Sequence, residues 1–200
     1  MDAFLGTLLH QAKTQLSILR GNYENITERA KIVAQLTKED YDKVLKRLFV
    51  DCLTHFKKVS ELLELLQSIF SSAIVVQFTI GGWILCMAAY KIIELNVLSI
   101  EFTSMVLFIL CILTELFIYC YYGNEVTLES ERVAGSVYAA QWVPAPAWFR
   151  RALLAALVRA RRPLRPLAGR VLPLSLNTFL KILKSSYSFY AVLRQTKNQV

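Results

Sequence analysis

Polar side chains recur along one face of the last helix that the sequence predicts, within LSLNTFLKILKSSYSFYAVLRQ (residues 174–195). Successive residues of an α-helix are about 100° apart around its axis, and these side chains fall within a stripe roughly 100° wide. The stripe consists of Lys181, Lys184, Ser185, Ser188, Val192 and Gln195, and the opposite side carries Leu172, Leu176, Phe179, Leu183 and Tyr190. Ammonium, hydroxyl and amide groups at this spacing can order water and contact ions, which is the chemistry of a conduit wall.

Two interpretations of this stripe remain open. A lysine near the centre of a bilayer costs roughly 2.5–3.5 kcal/mol, so the polar face needs water or a partner. In one interpretation the lysines extend to the nearer membrane surface and the serines bond backbone carbonyls. In the other, the stripe lines a water-filled conduit. The second is favoured because the stripe reaches Gln195, near the far end of the helix.

The sequence offers no support for catalysis or metal binding. Its thiol and imidazole groups are those of Cys52, Cys86, Cys111, Cys120, His10 and His55. No two cysteines form a CxxC pair and three lie in apolar runs, so we interpret them as small buried hydrophobes. The histidines lie on separate segments and build no zinc constellation. We expect no catalytic residue, no metal and no cofactor, and therefore no enzyme.

Composition indicates a membrane protein. Hydrophobic residues make up 55% of the 200 residues and charged residues only 19%, with a mean hydropathy of +0.41. The net charge is +8, but the basic residues stand beside apolar segments. A lipid bilayer is therefore the expected partner, and nucleic acid is not.

Three segments are long enough to span a bilayer. Residues 65–90 hold no charge, and 26 residues make about 39 Å of helix against a hydrocarbon core of about 30 Å. Residues 102–122 are interrupted only by Glu115, which either lines a polar interior or reaches an interface. Residues 172–196, which carry the polar stripe, form the third and least apolar candidate.

Amphipathic helices are predicted outside these spans. In the first twenty residues Leu5, Leu8, Ala12, Leu16 and Leu19 recur at helical spacing, and Gly21 with Asn22 is expected to end the helix. A second helix is expected from near Thr37 into the first span, and a third over 125–142. Their apolar faces are expected to find no partner in so small a chain and to form a cytosolic layer between subunits.

The distribution of basic residues predicts the orientation. Residues 1–64 hold ten Lys and Arg, the 91–101 loop holds one, and residues 123–172 hold eight. By the positive-inside rule the N-terminus is cytosolic and the C-terminus is outside. The predicted organisation is an all-α membrane protein with three transmembrane helices and cytosolic amphipathic helices: 1–64 cytosolic, 65–90 span, 91–101 extracellular loop, 102–122 span, 123–171 cytosolic helix and Arg-rich loop, 172–196 pore-lining span, 197–200 extracellular tail.

Three stretches together resemble the insect odorant receptors. They are THFKKVSELLELLQSIFSSAIVVQFTIGGWILC, YYGNEVTLESERVAGSVYAAQW and AGRVLPLSLNTFLKILKSSYSFYAVLRQ. The chain is similar to the C-terminal half of such a receptor, with its helices five to seven. The resemblance implies a seven-span plasma-membrane protein with a cytosolic N-terminus. It also implies an odorant-gated, non-selective cation channel, assembled as a tetramer with an odorant co-receptor around a pore lined by the seventh helix.

The resemblance also implies roles for particular residues. The pore gate falls at Val192, Gln195 and Thr196, with Val192 as an apolar constriction and Gln195 at the outer mouth. Thr196 stands where the co-receptor has leucine. Lys181 and Lys184 would repel cations, so a pore made of this chain alone is unfavourable. The family's pocket for volatile ligands lies among helices two, three, four and six, so this chain offers one wall of it. The alternative is a non-conducting protein that docks on the co-receptor through its cytosolic helices.

Overall fold

The computed structural model describes residues 2–92, 99–169 and 171–197, with side chains for 3–91, 99–169, 171–189 and 191. These residues form six helices and one pair of two-residue antiparallel strands. The helices are α1 (Asp2–Glu24), α2 (Ile26–Thr37), α3 (Tyr41–Ile92), α4 (Ile100–Ala139), α5 (Ala147–Ala160) and α6 (Leu176–Lys197). The strands are β1 (Leu167–Ala168) and β2 (Leu172–Pro173).

Two helices in the described residues, α3 and α4, are long and apolar enough to cross a membrane. Only 17% of the most apolar stretch of each is buried, as expected for helices that face lipid. The structure thus confirms an all-α membrane protein. α6 has 22 residues, about 33 Å of helix, and its role as a third span stays a prediction.

The chain forms two compact units, and both long helices contribute to each. Unit 1 comprises Met1–Gly6, Gln67–Asn124 and Leu167–Val200, and unit 2 comprises Thr7–Leu66 and Glu125–Pro166. In unit 1, α3 packs closely on α4 because Gly81 has no side chain. A Cβ at Gly81 would lie 3.5 Å from the methyl groups of Leu116.

Unit 2 has a core of its own. The apolar face of α1 is buried there, with Ala12, Leu16 and Leu19 fully enclosed. Aromatic rings continue the core: Phe49 of α3 makes edge-to-face contacts with Tyr23 at 6.4 Å and with Phe149 of α5 at 5.4 Å between centroids. The expectation that these amphipathic faces lack a partner within the chain is therefore wrong, because the helices bury them against one another.

Several predicted helix boundaries are also wrong. α1 runs through Gly21 to Glu24, and residues 26–37 form a helix that the sequence did not predict. A helical glycine costs only about 1 kcal/mol, which the burial of Tyr23 and Ile26 outweighs. Thr37 ends α2 instead of opening α3, and left-handed Lys38 follows it. The second span and the predicted helix at 125–142 are one helix, α4, which continues through Gly123.

Candidate functional site: the polar face of α6

The N-terminus of α6 is capped by a side chain. The Ser175 hydroxyl accepts a hydrogen bond from the backbone N–H of Thr178 at 3.2 Å, which satisfies one of the free donors of the first turn. The Thr178 hydroxyl donates to the carbonyl of Pro173 at 2.6 Å. These bonds explain why the helix starts at Leu176, four residues after the start of the predicted span.

One side of α6 packs on α3 and α4 within unit 1. Phe179 makes an edge-to-face contact with Phe117 at 5.6 Å, and a Cβ at Gly82 would lie 3.8 Å from Ile182. Ser186 is 8% exposed, and its backbone carbonyl lies 3.9 Å from the Cys86 thiol. The packed side of α6 is thus held by contacts to both long helices.

The predicted pore-lining residues are more exposed than this packed side. Lys181, Lys184, Ser185 and Ser188 are all exposed, whereas Phe179 and Leu183 of the opposite side are half-buried. The Ser185 hydroxyl donates to the carbonyl of Lys181 at 2.8 Å, so it needs no other partner in an apolar environment.

The predicted gate lies in a part of α6 where the structure describes only the backbone. Val192, Gln195 and Thr196 are helical. Their side chains, and that of Tyr190, lie outside the described residues, so their role as a gate stays a prediction.

A groove of about 610 Å³ lies between α3 and the segment that runs from β2 into α6. Its lining includes Thr79, Trp83, Asn177, Lys181, Ser185 and Phe189. The structure therefore brings two residues of the stripe, Lys181 and Ser185, next to α3. The sequence analysis did not predict that α3 forms one side of this groove. The local indication of it is Thr79, a polar residue in the charge-free segment 65–90.

Buried hydroxyls on α6 were also missed. Thr178 and Ser186 are 7% and 8% exposed, and each donates to a backbone carbonyl. Such bonds let a hydroxyl replace an apolar side chain in a packed face, so residue type alone gives no sign of burial.

Glu115 lies between α3 and α4. It is half-buried, and the Gln77 side-chain amide donates a hydrogen bond to its carboxylate. This pairing favours the interpretation in which Glu115 lines a polar interior, as acids within membrane helices usually do.

Two apolar helices of spanning length define a helical membrane protein. The family profile described as 7tm Odorant receptor matches residues 1–187, and the chain belongs to this family. The resemblance found in the sequence is thereby confirmed.

Curated relatives and a solved structure agree with this assignment. Odorant receptor 2a of Drosophila melanogaster is 26% identical over 164 residues, which are 80% of this chain and 41% of that protein. Odorant receptor Or2 of Anopheles gambiae is 27% identical over 148 residues, 74% of this chain and 39% of that protein. The chain therefore spans about two fifths of the length of these relatives.

The fold is also that of an insect olfactory receptor. The structure of OR5 from Machilis hrabei in complex with eugenol superposes with a TM-score of 0.84 at 20% identity, over 98% of this chain and 47% of that one. At this identity the match establishes the fold alone.

Proposed function

We propose that the chain is part of an odorant-receptor subunit that forms an odorant-gated, non-selective cation channel with an odorant co-receptor in the plasma membrane. The observation that carries the proposal is the exposed polar face of α6 in a chain of the odorant receptor family. Four side chains of that face, Lys181, Lys184, Ser185 and Ser188, are exposed. The Ser185 hydroxyl bonds the Lys181 carbonyl, but lipid alone is a poor environment for the ammonium groups of Lys181 and Lys184, and a water-filled pore solvates them.

The gate belongs to the far end of the same face. Val192 would form an apolar constriction that closes by excluding water, and Gln195 would contact ions at the outer mouth. A polar Thr196 makes this subunit's constriction less apolar than one with leucine. These roles follow from the helical period and from the family resemblance.

A heteromeric channel fits the charges better than a homomeric one. Four identical subunits would place every Lys181 and Lys184 around one axis, where they would repel cations. Subunits of another sequence would dilute this charge, so the proposed partner is the odorant co-receptor in a tetramer.

The proposed ligand class is a volatile small molecule. The Machilis hrabei relative was solved in complex with eugenol, a compound of that size. In this chain α4 would supply one wall of the pocket, and the other walls belong to receptor segments that the chain does not match.

A second candidate function is that of a non-conducting protein that docks on the co-receptor. The independent core of unit 2, in which Phe49 and Phe149 pack together, favours it because such a unit can serve as a binding module on its own. Ligand-evoked current from the full-length receptor co-expressed with a co-receptor separates the two candidates: current supports the channel and its absence supports docking.

Thiol accessibility tests the polar face directly. Single cysteines at Lys181, Ser185 and Ser188 should react with charged aqueous thiol reagents and change the current, because a hydrated thiol ionises readily. Cysteines at Phe179 and Leu183 are the matched controls and should react far more slowly. Native Cys86 and exposed Cys111 are replaced by serine in every variant tested. Equal labelling of both sets would contradict the proposal. Labelling of only the cysteine at position 181 would favour the interpretation in which the lysines extend to the nearer membrane surface.

A further inference from the structure

The groove between α3 and the segment that runs from β2 into α6 combines a polar end with a long apolar wall. At the polar end, in the first two turns of α6, Asn177 and Lys181 are both exposed and lie one turn apart. Along the rest of the groove Trp83 is 66% exposed and Phe189 is 44% exposed. From Asn177 to Phe189 the helix rises about 18 Å, which is close to the length of an extended acyl chain.

The hydroxyl groups along the groove need no ligand. Thr79, Ser185 and Ser186 each donate to the backbone carbonyl four residues earlier, at 2.8 to 3.0 Å. By contrast, the Asn177 amide and the Lys181 ammonium make no hydrogen bond or ion pair within the described part of the chain. An ammonium is a donor only, and an amide has two N–H donors, so the group that satisfies both is an acceptor.

The positive charge of Lys181 is not compensated by either wall of the groove. Neither α6 nor residues 65–90 of α3 contain Asp or Glu. An ammonium at membrane depth without an anion is costly. Helical side chains lean toward the N-terminus of their helix, so Lys181 reaches toward the end at which α6 would enter the bilayer. The distribution of basic residues predicts that this end is cytosolic, on the side where anionic lipids are concentrated.

We infer that this groove binds an anionic phospholipid, whose headgroup contacts Asn177 and Lys181 while one acyl chain lies along Trp83 and Phe189. A neutral volatile molecule would leave the ammonium unpaired, and a free phosphate ion would leave the apolar wall uncovered. A second copy of α6 would bring lysine against lysine. The inference goes beyond the proposed function, because binding of the lipid requires neither an odorant nor a current.

The probe is phosphatidylserine with brominated acyl chains, because bromine quenches tryptophan fluorescence only at short range. The full-length receptor is reconstituted in phosphatidylcholine vesicles that contain a small fraction of the brominated lipid. The quenching of Trp83 is the difference between the wild type and Trp83→Phe. Brominated phosphatidylcholine at the same fraction is the reference lipid, since it has the same chains and no net charge.

The headgroup contact is tested with Lys181→Gln. In the wild type, phosphatidylserine should be preferred over phosphatidylcholine about fivefold, which corresponds to about 1 kcal/mol for one lysine near the membrane surface. Lys181→Gln should abolish this preference. The matched control is Lys184→Gln, an exposed lysine of the same helix that does not line the groove, and it should keep the preference. Both lysines are exposed, so both variants should keep the wild-type melting temperature.

The acyl-chain contact is tested with Phe189→Ser. This variant removes part of the apolar wall, so it should lower the quenching of Trp83 by both lipids. Leu180→Ser is its control, because Leu180 is 51% exposed on the same helix and lies outside the groove lining.

Three outcomes would overturn the inference. Equal quenching by the two lipids in the wild type would mean that Trp83 meets only bulk lipid. Equal loss of the preference in the two lysine variants would assign it to the general charge of the membrane-facing surface. No quenching by either lipid would show that another segment covers the groove. Evoked current is not part of this measurement, so each of these outcomes leaves the proposed channel standing, and a receptor without current can still show the lipid preference.

Discussion

At the scale of single residues, the most constrained ionic group is Glu129 in unit 2. Its side chain is only 8% exposed, and its two carboxylate oxygens accept hydrogen bonds from Arg20 at 2.8 Å and Arg132 at 2.7 Å. Burial by itself would raise the pKa of Glu129, but these hydrogen bonds and charges outweigh it and hold the pKa below its usual value. Ser136 extends the network by donating to Glu24 at 2.6 Å.

Replacing Glu129 should destabilise the protein more than replacing an exposed neighbour. Glu129→Ala removes the carboxylate that Arg20 and Arg132 share and leaves the partly buried Arg20 with Ser136 and the more distant Glu24, so we expect a loss of about 1–3 kcal/mol in the free energy of unfolding. Glu131→Ala, whose carboxylate is 48% exposed and 3.8 Å from Arg165, should cost under about 1 kcal/mol. Thermal unfolding of the detergent-purified protein at neutral pH measures both, and equal effects would contradict the prediction.

The pH dependence of this contribution has a definite sign. A carboxylate whose pKa is lowered by folding stabilises the folded state above its unfolded pKa, here about 4.5, and loses that contribution as the pH falls through the folded value. The difference between wild type and Glu129→Ala should therefore be constant from pH 7 to about 5 and shrink below that. A difference that grows in acid would show that Glu129 is not held ionised.

At the scale of elements, the sequence predicts faces well and boundaries poorly. Of the five positions that the helical period selects in α1, Leu5, Ala12, Leu16 and Leu19 are buried, because burial follows the same 3.6-residue repeat, whereas Leu8 is only half-buried. It cannot say what packs against α1, since residues that contact this helix, such as Glu129 on Arg20, lie more than a hundred residues along the chain. Gly21 and Gly123 suggest helix ends that the structure does not have, because packing outweighs the modest local cost of a glycine.

The junction of α4 with the start of α6 depends on Gly123. A Cβ there would overlap the Cβ of Leu174 and lie 2.6 Å from its carbonyl oxygen, and both of these atoms are held by the capped turn. Gly123→Ala should therefore displace the start of α6 and lower the melting temperature and the evoked current. Gly135→Ala in the same helix is the control, because no described residue outside its own stretch of helix places an atom within 4 Å of the added Cβ. That variant should be neutral or gain about 0.5–1 kcal/mol. Identical behaviour of the two variants would show that α4 and α6 are not packed as described.

At the scale of the whole molecule, the candidate site joins segments about a hundred residues apart. The stripe on α6 is readable from the sequence because it depends only on helical spacing. The groove beside it is not, because Thr79 and Trp83 of α3 border the same groove as Lys181 through tertiary packing, such as that of Gly82 on Ile182. Likewise, local hydropathy cannot distinguish buried Ser186 from exposed Ser185, its neighbour on the same helix.

Orientation in the membrane is the property of the whole molecule that charge alone predicts. Residues 1–64 hold ten Lys and Arg and residues 123–172 hold eight, whereas the 91–101 loop holds only Lys91. Basic residues stay on the cytosolic side during insertion, so that loop and the C-terminus should face outside. Epitope tags in the loop and after Val200 should stain on intact cells that express the full-length receptor. A tag after Lys38, at the turn between α2 and α3, is the control and should stain only once the cells are permeabilised. The reverse pattern would invert the predicted orientation and place the arginines of α5 outside the cell.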